Sequence, residues 1–195
     1  MRFCDELEFA FGWSDDAGRI KRTSHALVDG DAVWLVDPIL WADALERAQA
    51  LGVVRGVIQL LDRHERDGAL VAGRLDVPLH RVPRRPIPGA SFEFLHVIRS
   101  RWWDEVALWW PERRTLVVAD ALGTVSYFHA PNEPVGVTPL LRLWPPRALR
   151  RVFPEHILCG HGEGVHDDAA TALHSALRTS RRRLPAAVLN GFRET

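Results

Sequence analysis

The chain has 195 residues, which is enough for one domain with a substantial core and short for two. Lys and Arg number 25 and Asp and Glu number 25, so the formal net charge is +0 and we expect no general attraction to nucleic acid or to an anionic membrane. No apolar run approaches the roughly 20 residues of a membrane-spanning helix. Only two cysteines occur, Cys4 and Cys159, which excludes a disulfide framework. We therefore expect a cytoplasmic globular protein.

The first part of the chain predicts a hairpin followed by a helix. Apolar residues cluster at 26–28 and 32–36 on either side of Asp29-Gly30-Asp31, a pattern typical of two strands joined by a tight turn. Apolar residues then recur at helical spacing over 41–51, which predicts a helix that ends at Gly52.

A second strand and helix follow directly. The apolar run 53–61 predicts a buried strand, and it ends abruptly in the polar segment 62–67. A helix through about Gly73 and a short strand over 77–82 come next. Strand, polar loop, helix and strand in this order indicate an α/β fold.

The second half predicts three more strands and a closing helix. Strands are expected over 105–110, 115–119 and 156–159. A helix is expected over about 167–183, with the arginines 181–183 at its end. Positive charge there complements the helix dipole, so we interpret this run as a helix end rather than a nucleic-acid patch.

Polar residues follow three of the predicted strands, at the point where each strand ends. They are the segment 62–67, Asp120 and His161. Short loops at strand ends are where sites assemble in α/β sheets, because the sheet fixes the side chains that the loops carry. His and Asp side chains that converge there could hold a divalent metal. Each residue alone also has an ordinary explanation as a helix cap or a turn former.

These segments resemble those of the metallo-β-lactamase fold. The string L-L-D-R-H-E-R-D-G (60–68) resembles the loop of that family written T-H-x-H-x-D-H-x-G. The run T-L-V-V-A-D-A-L-G (115–123) resembles the strand that carries the bridging aspartate, and H-I-L-C-G-H-G (156–162) resembles the loop of the last histidine. The resemblance implies a four-layer αββα sandwich, formed by residues 1–195 as a single domain. It also implies a metal site at one edge between the two sheets.

The chain departs from the family pattern at most of the metal-binding positions. In the first loop, Asp62 stands at the first histidine, and His64 is retained at the second. Arg66 stands at the aspartate and Asp67 at the final histidine. Arg101 is the nearest counterpart of the next family histidine. Asp120 and His161 stand unchanged.

One interpretation is a divergent metal-dependent hydrolase. The resemblance then leaves at most one divalent ion (Zn, Fe or Mn), held by Asp67, Asp120 and His161. Asp62 or His64 would act as the general base toward an ester, thioester or phosphodiester in a small-molecule substrate.

The other interpretation is a non-catalytic, metal-free relative. Asp62, Asp67 and Asp120 would repel one another without a cation, and Arg66 and Arg101 could neutralise them by bidentate pairing. An arginine in the site also opposes a dication by Coulomb repulsion. The chain would then be a ligand-binding or interaction protein, and the sequence leaves both interpretations open.

Four tryptophans beside this region also have two interpretations. Trp102, Trp103, Trp109 and Trp110 are expected mainly to fill the core between the sheets. Alternatively, Trp102 and Trp103 form an apolar wall that binds an acyl or aromatic group of the substrate. If the patch is exposed, it favours a homodimer.

Overall fold

A computed structural model describes residues 1–17 and 20–193, with side chains described through residue 191. Its larger sheet has six strands in the order β1-β2-β3-β4-β5-β6. These strands are Arg2–Leu7, Ala10–Asp15, Arg22–Asp29, Ala32–Val36, Val53–Gln59 and Leu79–Arg81. Strands β1 to β4 pair antiparallel, whereas β4, β5 and β6 pair parallel. The helices that connect the parallel strands allow this pairing, because parallel neighbours need a crossover.

The predicted hairpin is β3 and β4, and its turn is the one expected. Asp29 pairs with Ala32, and Gly30 between them has a φ of 62°. A tight hairpin turn needs this left-handed backbone, which glycine adopts without steric cost.

The second sheet has the order β12-β9-β8-β7. Its strands in chain order are β7 (Glu93–Arg99), β8 (Asp104–Trp110), β9 (Thr115–Val118) and β12 (His156–Cys159). The short strands β10 (Leu122–Gly123) and β11 (Gly136–Val137) pair separately. Strands β8, β9 and β12 confirm the predictions for the second half. Strands β1, β2 and β7 were not predicted, because charged residues interrupt the apolar alternation in β1 and β7.

The described residues form the α-helices α1 (Ala42–Leu51), α2 (Gly68–Leu75), α3 (Ala169–Thr179) and α4 (Leu184–Arg193), the last of which contacts the 3-10 helix Pro139–Leu141. Helices α1 and α2 pack on the six-stranded sheet, and α3 packs against β12 and β11. Apolar side chains fill the space between the two sheets. The expected four-layer αββα sandwich is therefore present.

The C-terminal region differs from the expected single helix over 167–183. Helix α3 ends at Thr179, and α4 begins at Leu184 with Pro185 in its first turn. Proline is accommodated there because the first turn needs no N–H partner within the helix. The arginines 181–183 therefore lie between two helices and not at the end of the last one.

The four tryptophans have different surroundings. Trp110 and Trp103 are buried, and Trp109 packs against the core. Trp102 is 77% exposed and lies under the guanidinium of Arg101 at 5.4 Å. Trp103, Trp109 and Trp110 thus pack in or against the core, whereas Trp102 lies at the surface.

A buried ion pair anchors the segment between β10 and α3. The Arg142 side chain is fully buried, and its Nη2 lies 2.6 Å from Glu133 Oε2. The same nitrogen donates to the Phe128 carbonyl at 2.8 Å, and Glu133 Oε2 accepts the Ala130 N–H at 2.7 Å. These bonds hold the loop that presents Phe128 to the centre described below.

Within the described residues, the structure contains no helix both long and apolar enough to span a membrane.

Replacing Glu133 with Ala should lower the free energy of unfolding by about 3 to 5 kcal/mol, because it leaves a buried guanidinium without its counter-charge. Urea unfolding at neutral pH measures the effect. Glu112→Ala, in the exposed turn between β8 and β9, is the matched control and should change stability by less than about 0.5 kcal/mol. Equal effects of the two substitutions would contradict the anchoring role of the pair.

Candidate metal centre

Four polar side chains meet where four strands end. Asp37 follows β4, His64 comes five residues after β5, and Asp120 and His161 each come two residues after β9 and β12. Strand β4 is parallel to β5, and β9 is parallel to β12. The carboxyl ends of each pair therefore lie at the same edge, and the two sheets present these ends to each other.

Three ligand atoms from this group lie close together. His64 Nε2 is 2.8 Å and His161 Nε2 is 2.9 Å from Asp120 Oδ1. The two Nε2 atoms are 3.3 Å apart. Within the described part of the chain, these residues form the group whose ligand atoms could hold a metal ion, all within 4.8 Å of one another. A spacing of about 3.3 Å is what two ligands about 2.0 Å from a tetrahedral Zn²⁺ require.

The other nitrogen of each imidazole is already bound to an acceptor. His64 Nδ1 lies 3.2 Å from Asp37 Oδ2, and His161 Nδ1 lies 3.1 Å from the Lys21 carbonyl. A carboxylate and a carbonyl only accept, so each Nδ1 carries the proton and each neutral ring has a lone pair at Nε2. Two lone pairs and Asp120 Oδ1 then face one another without a proton between them. A cation placed among them satisfies all three, so the donor set fits a metal.

The pKa values of these groups are unequal. Burial opposes ionisation of Asp120, but its contacts with His161 and His64 outweigh burial and hold its pKa well below the ordinary value. Burial and Arg66 lower the pKa of His64, yet the contacts with Asp120 and Asp37 raise it overall. Burial dominates at His161 and lowers its pKa. Without a cation, a proton on His64 Nε2 could bond to Asp120, but the His161–Asp120 contact would lack a proton.

Asp37 is an orienting residue that the sequence analysis missed. Its φ is 44°, a left-handed conformation that Asp tolerates better than most residues. Oδ1 accepts the Leu60 N–H at 3.1 Å, and Oδ2 faces His64. A carboxylate behind a ligating histidine fixes the tautomer and the ring orientation. Its one signal in the sequence was an acid at the end of a strand, just before Pro38.

Arg66 lines the same cleft as His64, Asp120 and His161. The partly buried guanidinium donates to three backbone carbonyls: those of Thr23, Asp37 (3.0 Å) and Gly160 (2.8 Å). Burial lowers the pKa of Arg66, and the carboxylates of Asp37 and Asp120 oppose that shift. A fixed cation beside the three ligand atoms disfavours a second dication there.

Asp67 and Asp62 lie outside the group of three. Asp67 Oδ2 accepts the Leu40 N–H at 2.8 Å, at the start of α2. Asp62 is partly exposed, and Arg63 is its ion-pair partner at 4.0 Å. The structure thus brings His64, rather than the expected Asp67, together with Asp120 and His161.

Of the two tryptophans expected to form the wall, Trp103 lines the cleft and Trp102 does not, and Arg63 stands where Arg101 was expected. Arg101 and Trp102 contact each other and do not line the cleft beside the centre. Arg63 does line it, with Nη2 3.9 Å from Asp120 Oδ2 and its guanidinium 4.7 Å over the Trp103 ring. The segment around Arg101 contains no histidine, so its match to the family pattern is the least constrained part of the resemblance.

Glu105 supports this wall from inside the core. Its Oε2 accepts Trp103 Nε1–H at 2.8 Å and its Oε1 accepts the Ala121 N–H at 2.8 Å. Complete burial, with the nearby charge of Asp120, raises the pKa of Glu105 to about 7. Nothing in the sequence marks Glu105 for this role, since an acid at the start of a strand is common.

The centre opens into a cleft of about 540 Å³. Its charged lining consists of Arg22, Arg63, Arg66 and Asp120. Asp120 is the one carboxylate among the described residues that line it. The remaining lining residues are mainly apolar or aromatic: Ile20, Trp103, Tyr127, Phe128 and Leu140. Phe128 stacks on the His161 ring, with centroids 5.3 Å apart and planes 23° apart. The cleft therefore combines positive charge at the ligand atoms with an apolar wall.

A second buried cluster holds the loop that carries His161. Asp5 Oδ1 accepts the Gly164 N–H at 2.7 Å and contacts His166 Nε2 at 3.1 Å, while Oδ2 contacts His25 Nε2 at 3.1 Å. Burial opposes ionisation of Asp5, but the histidine contacts outweigh it and lower its pKa. The first strand is thereby tied to the loop between β12 and α3.

Asp5→Asn should lower the free energy of unfolding by roughly 2 kcal/mol at neutral pH, because it removes the charge from these hydrogen bonds. The folded pKa of Asp5 lies below the unfolded value, so this contribution is complete above the ordinary Asp pKa of about 3.9. It is lost as the pH falls below that value.

Urea unfolding of wild type and variant from pH 7 to pH 2 measures this, with Asp43→Asn on the exposed face of α1 as the control. The wild-type advantage over Asp5→Asn should shrink with acid. An advantage that grows below pH 4 would contradict the assignment.

Several solved structures are similar to this fold. DIM-1 metallo-β-lactamase is 11% identical, with a TM-score of 0.56 over 92% of this chain and 97% of that chain. A putative diflavin flavoprotein A 5 from Nostoc sp. PCC 7120 is 13% identical, with a TM-score of 0.61 over 93% of this chain and 97% of that chain. A chemotaxis sensor, ODP, described as a peroxy diiron species, is 14% identical, with a TM-score of 0.56 over 93% and 94%.

No protein-family model and no curated protein matches the sequence. The likeness in structure nevertheless spans nearly the whole of each chain. This protein has the metallo-β-lactamase fold.

Proposed function

We propose that the protein is a hydrolase that depends on one divalent cation, held by His64, Asp120 and His161. The observation that carries the proposal is the convergence of two Nε2 lone pairs and one carboxylate oxygen, with both Nδ1 atoms bound to acceptors. Two imidazoles and a carboxylate suit Zn, Fe or Mn. The neighbouring structures include metallo-β-lactamases and a diiron species, which supports the same set of metals.

A divalent cation bound there would polarise a carbonyl or phosphoryl oxygen and lower the pKa of a water molecule. The chain's own residues supply the rest. Asp120 Oδ1 faces the histidines while Oδ2 faces Arg63 at 3.9 Å, so Oδ2 is the proton acceptor in the cleft. This assignment replaces the two expected bases, because Asp62 does not line the cleft and His64 faces Asp120 as a ligand.

The cleft favours an ester or thioester with an apolar group. Arg63 is placed to stabilise negative charge that develops on the reacting oxygen. Ile20 and Tyr127 line both the cleft and an adjoining, mainly apolar cavity of about 400 Å³. An acyl or aromatic group of a small-molecule substrate would occupy that cavity.

Elemental analysis of protein purified without chelator or affinity metal should find about one Zn, Fe or Mn per chain. The metal should be lost in Asp120→Ala and in His64→Ala, and retained in Asp67→Asn, because Asp67 bonds to the backbone instead. Hydrolysis of acyl esters and thioesters should depend on the same residues. Activity toward phosphodiesters alone would overturn the substrate class.

Loss of metal in Asp67→Asn with retention in His64→Ala would instead support Asp67 as the third ligand. Absence of metal, with no thermal shift on adding Zn, Fe or Mn, would overturn the proposal. The metal-free interpretation, in which arginine charge neutralises the site, would then stand, with Arg66 and Arg63 rather than Arg101 near Asp120.

Asp37→Asn should weaken metal affinity about 10- to 100-fold while leaving the ligands in place. The Asn amide has nearly the same shape as the carboxylate, but it has no negative charge to attract the Nδ1 proton of His64. Competition with a chromophoric chelator measures the dissociation constant. Asp67→Asn is the matched control, and an equal loss in both variants would contradict the orienting role of Asp37.

A further inference from the structure

A second cavity, of about 670 Å³, lies away from the metal centre and concentrates positive charge. It is formed between the edge strand β7, the loop and short 3-10 helix over 144–150, and the end of α3. Its polar and aromatic lining is His96, Trp144, Arg147, Arg150, Arg178 and Arg181. Among the residues that the structure describes, no acidic side chain lines it, although the whole chain has as many acids as bases.

These arginines are not explained by ion pairing within the protein. In residues 1–17 and 20–191, no carboxylate lies within 4.0 Å of any of the four guanidiniums. The helix dipole accounts for Arg178 in the last turn of α3. It does not account for Arg147 and Arg150, which come from a different element and face the same cavity.

The aromatic side of the cavity is held in place. The Trp144 side chain is exposed, with Trp144 72% accessible, and the backbone N–H of Trp144 donates to the Leu141 carbonyl at 3.0 Å. Arg181 Nε donates to the Leu143 carbonyl at 2.7 Å, which fixes the residue before the tryptophan. Pro145 and Pro146 follow and restrict the backbone. An exposed indole on a rigid loop costs little conformational entropy when a flat ring stacks on it.

We propose that this cavity binds a nucleotide, with the phosphate chain on the arginines and the base on Trp144. Guanidiniums pair with phosphate oxygens in a bidentate manner, and several in one cavity suit a chain of phosphates rather than one. The cavity is in the size range of small-molecule sites, which exceeds what an inorganic phosphate fills. Base-to-aromatic stacking tolerates any base. The ligand is a free nucleoside polyphosphate or a nucleotide of a single-stranded nucleic acid.

Calorimetric titration of the full chain with ATP and with inorganic tripolyphosphate tests the proposal. ATP should bind, and tripolyphosphate should bind about tenfold more weakly because it lacks a base. Trp144→Ala should reduce ATP binding to the level of tripolyphosphate. Arg147→Ala with Arg178→Ala should weaken both ligands at least tenfold.

Two controls separate this site from general charge and from the metal centre. Arg55→Ala with Arg74→Ala removes the same charge from exposed positions elsewhere and should leave ATP binding unchanged. Asp120→Ala, which disables the metal centre, should also leave it unchanged. Circular dichroism checks that each variant is folded, as expected for exposed substitutions.

Competition with an oligouridylate distinguishes the two sources of nucleotide. Displacement of ATP by the oligonucleotide, with higher affinity, identifies single-stranded nucleic acid, and failure to displace it identifies the free nucleotide. Absence of ATP binding, equal binding of ATP and tripolyphosphate, or ATP binding that survives the paired arginine substitution would each overturn the proposal.

Discussion

The Arg66 guanidinium is the interaction on which the arrangement of the centre depends. It donates to carbonyls at the start of β3, just after β4 and just after β12, and so joins the two sheets at one edge. Asp37 itself provides one of these carbonyls, and Gly160, the residue before His161, provides another. Because one partly buried side chain sets these backbone positions, the polar side chains of both sheets are held within bonding distance of one another. Its fixed charge also disfavours a second dication at that edge.

The chemistry of the centre follows from which nitrogen of each histidine is already bound. Asp37 and the Lys21 carbonyl hold the Nδ1 protons, and both Nε2 atoms are left facing the same carboxylate oxygen. A buried group of acceptors without a proton is costly unless a cation lies among them. The donor set therefore fits a metal ion, although four of the seven metal-binding positions in the family pattern are replaced.

The molecule separates its two charged cavities. In the cleft at the metal centre, arginines stand beside a carboxylate and an apolar wall, whereas the cavity beside α3 has arginines and an exposed indole without acids. The segment that contains Leu140 and Trp144 lines both, and the buried Glu133–Arg142 pair anchors it between them. A net charge of zero thus hides a strongly uneven distribution of charge, which a count of residues averages away.

Local patterns in the sequence predicted an α/β fold and the strand ends that carry the site, and the resemblance to a known family added the αββα arrangement. The apolar runs over β4, β5, β8, β9 and β12 are long enough to identify each strand, and a polar residue after a strand needs no tertiary information to be noticed. Only the tertiary structure decided which of these residues meet. His64 rather than Asp67 joins Asp120 and His161, because the loop after β5 turns Asp67 toward the Leu40 N–H. Arg63 rather than Arg101 faces the centre, and Asp37 becomes its orienting acid, because contacts between distant strands depend on register and backbone direction, which local patterns do not encode.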